Sequence, residues 1–296
     1  MPTSEEMRDA AELVAWPLHG TGPSLTGTDL VQSVLAFQPP AETVACWYMS
    51  QASVIWKGGG QTAWIDPYLR VDGRRRYPPL CRPEEVTGAD LVLITHEHSD
   101  HLDPTTCAGI ATASPSAVFV APPICEAPLV AAGVPKARIR TPRTGETLRV
   151  GNWRVVPTPA AHEEVDIIPG MGHRFVGYIA EVDGMLLYHA GDTMACDELA
   201  AALLPFVDRL DLAMLPINGR DYFRRSKNIL GNFTFREAAE LAMRLGPGVT
   251  VPLHFDLFRG NNDEWPGHFV DYLHDRAPYL PIAVLAPGQR LLVTRR

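Results

Sequence analysis

The feature that most constrains this chain is a histidine-rich loop directly after an apolar run. Residues 89–94, Ala-Asp-Leu-Val-Leu-Ile, are typical of a buried strand. The chain continues as Thr-His-Glu-His-Ser-Asp-His, which places His96, His98, Asp100 and His101 after the carboxyl end of that strand. Ligand-binding groups are commonly mounted at such strand ends. The fold must therefore gather several imidazoles and carboxylates at one edge of a sheet.

The side chains of this loop predict a metal site. Neutral imidazole suits zinc, iron and manganese, and a carboxylate adds a hard oxygen ligand. The spacing His-x-His-x-Asp-His offers ligands for two adjacent ions, whereas a single structural zinc would more often use cysteine. Ordinary surface histidines are the alternative, but clustering of this density has no rationale in packing. We therefore expect a two-ion centre built on residues 96–101.

Length and charge exclude some classes of function. A chain of 296 residues is long enough to bury a large core, and one domain is favoured over two. Its 26 basic and 34 acidic side chains give a net charge of −8 without a long block of one sign. No nucleic-acid partner is expected, because such binding depends on basic groups that neutralise phosphates. A local site for a small anion stays compatible with this composition.

The cysteines and the N-terminal residues bear on location. The five cysteines are scattered, odd in number and without a Cys-x-x-Cys pair, which favours a reducing compartment over a disulfide framework. The first residues lack a basic segment followed by an apolar core. No stretch approaches the roughly 18 apolar residues that a membrane span needs. We expect a cytoplasmic protein without membrane insertion.

Two blocks of strands, each accompanied by helices, are predicted along the chain. Residues 1–42 are interpreted as an N-terminal extension of unknown role and residues 43–296 as one domain. Alternating or apolar segments bounded by turn residues predict strands at 44–49, 53–57, 62–65, 89–94, 117–121, 146–150, 153–157, 175–182, 185–189, 210–216 and 249–253. Helices are predicted over 199–206 and 233–245, the second with Thr234 as N-cap, Glu237 three residues later and Gly246 at its end.

Three further candidate ligands follow predicted strands. His162 comes after the strand at 153–157, Asp192 after the hairpin that ends at 189, and His254 after the strand at 249–253. Each is weak alone, because a single histidine after a strand is more often a hydrogen-bonded core or surface residue, and Gly-Asp is more often a turn. Their shared position at strand ends makes them candidates.

Together and in this order, with Asp66-Pro67 upstream, these motifs resemble the metallo-β-lactamase superfamily. The resemblance covers about residues 43–290 and implies an α/β (α+β) fold, a four-layer αββα sandwich with metals at one edge of the two sheets. It implies a ligand set with Asp192 as the bridge, in which one ion is held by His96, His98 and His162 and the other by Asp100, His101 and His254. Asp66 would orient a ligand, and Asp256 and Glu97 would orient neighbouring imidazoles.

Within that superfamily, the chain is similar to the branch that contains L-ascorbate-6-phosphate lactonase. The shared features are Gly133-Val134-Pro135-Lys136, Leu187-Tyr188-His189-Ala190-Gly191-Asp192, Leu210-Asp211-Leu212-Ala213 and Pro252-Leu253-His254-Phe255-Asp256, followed by Phe258. The similarity implies a metal-dependent hydrolase of a small anionic cyclic ester, such as a sugar-phosphate lactone. Metal-bound hydroxide would attack the carbonyl carbon, with Asp100 and Asp192 as the catalytic groups that transfer the proton. Two divalent ions are implied, manganese or zinc by preference and iron as a third option, and this branch allows a homo-oligomer.

The loop after the predicted strand at 210–216 is interpreted as the substrate-facing segment. It carries four cations within eight residues, and guanidinium groups bind phosphate or carboxylate bidentately. A solvated loop or a subunit contact is the equal alternative. The candidate substrate-binding residues are Asn218, Arg220, Tyr222, Arg225, Lys227 and Asn228, together with His189.

Two other functions are weighed against the lactonase. A phosphodiesterase of the same superfamily would act on a nucleotide or phospholipid ester, because two ions also stabilise an in-line displacement at phosphorus. A non-catalytic binding protein with this fold is the third interpretation. It is disfavoured, because buried ionisable groups without a metal partner would destabilise the fold.

Overall fold

Two β-sheets pack face to face in the computed structural model, which describes residues 25–261 and 264–296. From edge to edge, the first sheet consists of β15 (Arg290–Thr294), β1 (Thr43–Ser50), β2 (Ser53–Gly58), β3 (Gln61–Ile65), β4 (Leu91–Leu93), β5 (Val118–Val120) and β6 (Ile139–Arg140). The strands from β15 to β3 pair antiparallel, and those from β3 to β6 pair parallel. The first three predicted strands, at 44–49, 53–57 and 62–65, are therefore confirmed as an antiparallel unit.

The second sheet consists of β14 (Val249–Leu253), β13 (Leu212–Pro216), β12 (Met185–His189), β11 (Val176–Val182), β8 (Trp153–Pro159) and β7 (Leu148–Val150). Its strands β12, β13 and β14 pair parallel, while β7, β8, β11 and β12 form antiparallel pairs. A separate ribbon is formed by β9 (Ile167–Ile168) and β10 (Gly172–His173). Because β8, β12 and β14 run in the same direction, their carboxyl ends meet at one edge.

Helices cover the outer faces of the two sheets. The first sheet packs against α1 (Gly27–Ala36), α2 (Pro104–Ala113) and α3 (Glu126–Ala131). The second packs against α4 (Asp197–Leu203), α6 (Phe235–Leu245) and α7 (Pro266–Arg276), while α5 (Tyr222–Arg225) lies in the loop after β13. The four-layer αββα class is therefore confirmed.

Strand alternation divides the interior into two layers. All eight residues of β1 are buried, because both of its faces are covered. Val44, Cys46 and Tyr48 pack between the two sheets. Ala45 and Trp47 pack instead against the helices of the first sheet. This burial on both faces explains why the strand segments are so apolar in sequence.

Local signals predicted one helix closely and another less so. In α6, Thr234 and Glu237 form a capping box, and Gly246 ends the helix with a φ of 54°, as predicted. Helix α4 ends earlier than the predicted residue 206, because a 3-10 turn over Leu204–Phe206 follows it. Proline at position 205 lacks the N–H that a continued α-helix would use.

Part of the predicted N-terminal extension belongs to the packed structure. Helix α1 buries Leu30, Val31 and Val34 against the first sheet. The buried Lys57 donates from Nζ to the backbone oxygens of Val34 at 2.8 Å and Leu35 at 2.6 Å, which fastens the end of the helix. The division at residue 42 stays a prediction, and residues 1–24 lie outside the described chain.

Within residues 25–261 and 264–296, no helix combines the length and the apolar character needed to cross a membrane.

Candidate metal centre

The candidate ligands lie at the carboxyl ends of strands from both sheets. The two sheets face each other, so these ends form one edge of the sandwich. The loop with residues 96–101 follows β4, and the other polar residues follow neighbouring strands: Asp66 after β3, His162 after β8, Asp192 after β12 and His254 after β14. Tertiary structure thus brings together residues that are as far apart in sequence as 66 and 254.

Seven side chains converge there in overlapping groups. In each group the ligand atoms lie within 4.8 Å of one another. The groups are His96, His98 and His162; His96, His101 and Asp192; and Asp100, His101 and His254. These are the same seven residues that the sequence predicts as ligands, and their role in metal binding stays a proposal.

Asp192 lies between the groups. Its Oδ1 is 3.4 Å from His101 Nε2. Its Oδ2 is 3.7 Å from His162 Nε2 and 3.2 Å from His254 Nε2. A carboxylate with both oxygens directed at different imidazoles has the geometry required to bridge two ions.

Outer contacts fix which nitrogen of two imidazoles, His101 and His162, faces the centre. His101 Nδ1 is 2.7 Å from Asp66 Oδ2, and Asp66 in turn accepts from the backbone N–H of Thr95 at 2.7 Å and from its hydroxyl at 2.6 Å. His162 Nδ1 is 2.9 Å from the carbonyl oxygen of Gly231. When Nδ1 donates to these oxygens, the lone pair of Nε2 points inward, as in the usual outer shell of metal-binding histidines.

Buried polar atoms without partners show that this donor set fits a cation. Among the described residues, His96 Nε2, His101 Nε2 and Asp192 Oδ1 are buried and have no hydrogen-bond partner. Leaving such atoms unpaired costs about 1–3 kcal/mol each. With its Nδ1 proton directed at Asp66, His101 presents a lone pair to Asp192 Oδ1, and two acceptors at 3.4 Å need a cation or a proton between them. Nitrogen and oxygen donors of this kind suit a divalent ion such as zinc or manganese.

The pKa values of the histidines are shifted in opposite directions in two parts of the centre. Burial lowers the pKa of His96 well below its ordinary value and lowers the pKa of His162 to about 4, so both are neutral at pH 7. Burial also lowers the pKa of His101, but the carboxylates of Asp192, Asp66 and Asp100 outweigh it and raise the pKa well above its ordinary value. The three carboxylates around His101 therefore favour a positive charge at this position.

Backbone strain is concentrated at this edge. Among the described residues, nine other than glycine have a positive φ, and five of them border the centre: Ser50, Gln51, Asp66, Glu163 and His254. Such conformations cost on the order of 1–3 kcal/mol each and persist where the surroundings hold them. At Gly191, a Cβ would lie 2.6 Å from the carbonyl oxygen of Val176, so only glycine fits before Asp192.

A family model described as the β-lactamase superfamily domain matches residues 62–255, about two thirds of the chain and all seven candidate ligands. The chain belongs to the β-lactamase superfamily. It is 30% identical over 243 residues to a metal-dependent hydrolase of Methanoculleus marisnigri, covering 79% of this chain and 91% of that protein. A metal-dependent hydrolase of Thermococcus kodakarensis is 29% identical over 235 residues, covering 79% of this chain and 92% of that protein.

A solved structure of another protein has the same fold as this chain. Igni18, a metallo hydrolase from Ignicoccus hospitalis, superposes with a TM-score of 0.66 at 23% identity, over 86% of this chain and 100% of that chain. At this identity the similarity supports the fold alone. The comparisons do not single out the lactonase branch, which stays a proposal.

Two of the predicted orienting carboxylates have other partners. Asp256 Oδ1 accepts from the backbone N–H of Gln51 at 3.0 Å, and its Oδ2 accepts from the hydroxyl of Tyr77. Glu97 pairs with Arg174, whose guanidinium lies 5.3 Å from the ring centre of Phe175. The Phe175 ring in turn packs against three imidazoles, those of His96, His98 and His162. Both carboxylates therefore support the centre through an intermediate residue.

Three of the predicted substrate-binding residues are engaged inside the protein. His189 is fully buried, with Nε2 2.9 Å from the carbonyl oxygen of Ala52 and Nδ1 accepting from the N–H of Gly191 at 3.1 Å. Strand alternation directs the ring into the core, and its substrate contact stays a prediction. Asn218 is buried and accepts from Asn232 at 3.0 Å, and Arg220 makes two hydrogen bonds of 2.7 Å to Glu237. Those two residues hold the loop through these hydrogen bonds, and their role in substrate binding stays a prediction.

The other predicted substrate residues are exposed. Tyr222 is 78% exposed, and Lys227 and Asn228 are exposed as well. Arg225 Nε lies 3.3 Å from Glu163 Oε2, next in sequence to His162. Arg225 is therefore placed at the rim of the centre.

Sequence patterns missed a buried layer around the ligands. Thr95, Tyr77 and Gln51 all contact candidate ligands or their partners. None is a preferred metal ligand by residue type, so a pattern of histidines and carboxylates does not include them. The available signal was a Gln in a short turn between two largely apolar strands.

Proposed function

We propose that this metal-dependent hydrolase of the β-lactamase superfamily cleaves the ester bond of a small anionic cyclic ester, as in the lactonase branch that it resembles. The observation that carries the proposal is the position of Asp192 among His101, His162 and His254, at distances of 3.2–3.7 Å. Two divalent ions, manganese or zinc by preference, are the proposed cofactors. When bound, they would supply the Lewis acidity that polarises an ester carbonyl and activates water.

The histidines have the role of holding these ions in a fixed geometry. His96, His98 and His162 present neutral nitrogens, since burial lowers the pKa of each. Phe175 and the Gly231 carbonyl limit their rotation, because one packs on the rings and the other accepts from His162. A centre held this way needs little reorganisation during the reaction.

Asp100 is the proposed proton acceptor. Its side chain is 20% exposed, against 5% for Asp192, so it is the more accessible carboxylate of the two. Burial raises its pKa, but the neighbouring His101 and His254 outweigh burial and keep the pKa below its ordinary value. Asp100 is therefore ionised at neutral pH and able to receive the proton of an attacking water.

Cations on the α5 loop are the proposed recognition site for the anionic group of the substrate. Arg225 lies beside the loop of His162, and the exposed Lys227 follows two residues later. A guanidinium binds phosphate or carboxylate through two parallel N–H donors. In a chain with net charge −8, these two cations form a local attraction for an anion at the entrance.

The decisive assay compares ester classes. Protein loaded separately with manganese and zinc is tested on phosphorylated and unphosphorylated sugar lactones and on bis(p-nitrophenyl) phosphate. We expect lactone hydrolysis that is lost in His96→Ala and retained in the exposed control His274→Ala. A preference for phosphorylated lactones would support recognition by the α5 loop. Turnover of the diester alone would overturn the lactonase proposal.

A phosphodiesterase is the second candidate. Tyr222 and Phe223 are 78% and 75% exposed, and their ring centres lie 5.7 Å apart beside Arg225. An aromatic pair next to a cation suits a nucleobase or an acyl chain attached to a phosphate. Turnover of a nucleotide or phospholipid diester that falls in Tyr222→Ala would favour this candidate over the lactonase.

We also propose a cytoplasmic location and assembly as a homo-oligomer. All five cysteines are free, and four are buried. Burial raises the pKa of Cys46 and Cys81 to about 12, which keeps them as unreactive thiols. Free, buried thiols are the pattern expected in a reducing compartment. Light scattering of the purified protein tests the proposed assembly.

A further inference from the structure

The side chain of Gln51 lies inside the metal centre, although glutamine is not one of the predicted ligands. Its Nε2 is 2.8 Å from Asp100 Oδ2 and 2.9 Å from His254 Nε2. The residue is fully buried, and its Oε1 has no hydrogen-bond partner among the described residues. Gln51 also lies outside the range of residues 62–255 that matches the family.

The backbone around Gln51 is held from both sides. Its N–H donates to Asp256 Oδ1 at 3.0 Å, and its carbonyl oxygen accepts from the N–H of His254 at 2.8 Å. Asp256 is itself fixed by the hydroxyls of Tyr77 and Ser50. With φ at 60°, Gln51 adopts the left-handed conformation, which seldom occurs without such support. The carboxamide is therefore directed at Asp100 and His254 by a built arrangement.

This contact makes the two halves of the centre unequal. Among the described residues, the buried His96 Nε2 on the side of His98 and His162 has no hydrogen-bond partner. On the other side, Asp100 Oδ2 and His254 Nε2 both contact the carboxamide of Gln51. A cation gives a partner to the unpaired nitrogen on the first side, whereas on the second side it must replace an existing hydrogen bond to a carboxylate.

Gln51 and an ion cannot use the same two atoms at once. An ion ligated by His254 and Asp100 would lie about 2.0–2.2 Å from each atom. The carboxamide nitrogen contacts those same two atoms at 2.8 and 2.9 Å, and an imidazole nitrogen has a single lone pair to share. An amide NH₂ group donates hydrogen bonds and offers no lone pair to a metal. The side chain must therefore move before the second ion is bound.

We propose that Gln51 is a built-in competitor for the second ion, so that the centre binds one divalent ion tightly and another much more weakly. The tight ion belongs to His96, His98, His162 and Asp192, and the weak ion to Asp100, His101 and His254. This inference rests on the proposed metal dependence, and it is independent of the identity of the substrate. Weak binding of the second ion makes its occupancy depend on the ion concentration. The hydrolytic activity of the centre would then depend on that concentration as well.

The test is the binding of manganese alone to metal-free full-length protein. Bound and free Mn²⁺ are measured by equilibrium dialysis with elemental analysis, and spin coupling between two bound ions is followed by electron paramagnetic resonance. We expect one tight ion per wild-type chain and a second whose affinity is at least about tenfold weaker. Loss of a hydrogen bond to a charged group corresponds to a factor of roughly ten or more. In Gln51→Gly, the second ion should therefore bind at least about tenfold more tightly, with the first unchanged.

Glycine is chosen because it accepts a positive φ without strain, and the exposed Gln38→Gly is the matched control. Gln51→Glu is a second variant, since it puts a carboxylate oxygen at the same reach and should also tighten the second ion. If Gln51→Gly fails to fold, the glutamate variant decides. An unchanged or weaker second ion in either folded variant overturns the competitor role and favours ligation through Oε1. A wild-type chain that binds no ion at all would instead overturn the metal dependence itself.

Discussion

The metal edge and the α5 loop differ in how firmly their side chains are held. At the metal edge, seven candidate ligands are gathered in groups of atoms within 4.8 Å. The outer nitrogens of two of them, His101 and His162, are fixed by Asp66 and by the Gly231 carbonyl. In the loop, Tyr222 and Phe223 are more than 70% exposed, and Arg225 is 76% exposed in its side chain. The difference indicates that the candidate metal centre is preorganised, while the proposed recognition site lies on a segment that tolerates change.

The largest expected effect comes from the centre of the metal edge. Asp192→Ala should release bound ions and reduce activity by more than the roughly 100-fold that loss of an outer partner costs. Its Oδ1 lies near His101 and its Oδ2 near His162, so it contacts imidazoles of both groups. Elemental analysis after dialysis and a hydrolysis assay measure both losses. The exposed Asp275→Ala is the control, and retention of both ions in Asp192→Ala would contradict a bridging role.

The next effect concerns the layer behind the ligands. Asp66→Asn should weaken metal binding by about 10–100-fold, because the carboxylate that accepts from His101 and Thr95 is replaced by an amide. Competition with a chelator measures the affinity. Asp208→Asn, on the surface near Arg296, serves as control. Equal affinities in the two variants would show that the metal edge does not depend on this orientation.

A smaller effect is expected in the α5 loop. Arg225→Ala should raise KM for an anionic substrate by about tenfold and leave kcat unchanged, since one charge-assisted contact is removed. The difference from wild type should shrink in 1 M salt, where the Debye length is about 3 Å. Steady-state kinetics at two salt concentrations provides the measurement. A fall in kcat with unchanged KM would show that Arg225 acts in the chemical step. The metal edge and the α5 loop would then not differ in role.

The smallest expected effect is on the stability of Arg220→Ala, and it distinguishes Arg220 from Arg225 in the same loop. Arg220→Ala should lower the free energy of unfolding by about 1 kcal/mol or less, because its pair with Glu237 is about 30% exposed and screened by water. KM should stay unchanged. Denaturant unfolding and kinetics test both statements, with Arg225→Ala as the reverse case. A raised KM in Arg220→Ala would show that Arg220 contributes to substrate recognition, as the sequence predicts.

Much of the fold was predictable because its signals are local. The capping box of Thr234 and Glu237, the hairpin at Asp183-Gly184 and the apolar run before His96 each depend on a few neighbouring residues. The two-residue strands β9 and β10 were not predictable, since their pairing is too short to leave a periodic pattern. The orientation of His189 was likewise open, because alternation allows either face until the neighbouring sheet is known.

The candidate site also has features that the sequence predicts and features that only the tertiary structure defines. Sequence alone determined which residues carry metal-binding chemistry and that they follow strands, because side-chain type and strand periodicity are local properties. Only the tertiary structure decided their partners. Gln51 and His254 are 203 positions apart, and their contact exists because the β1–β2 turn and the end of β14 meet at one edge. Contacts between distant segments depend on sheet order and packing, and a local pattern contains neither.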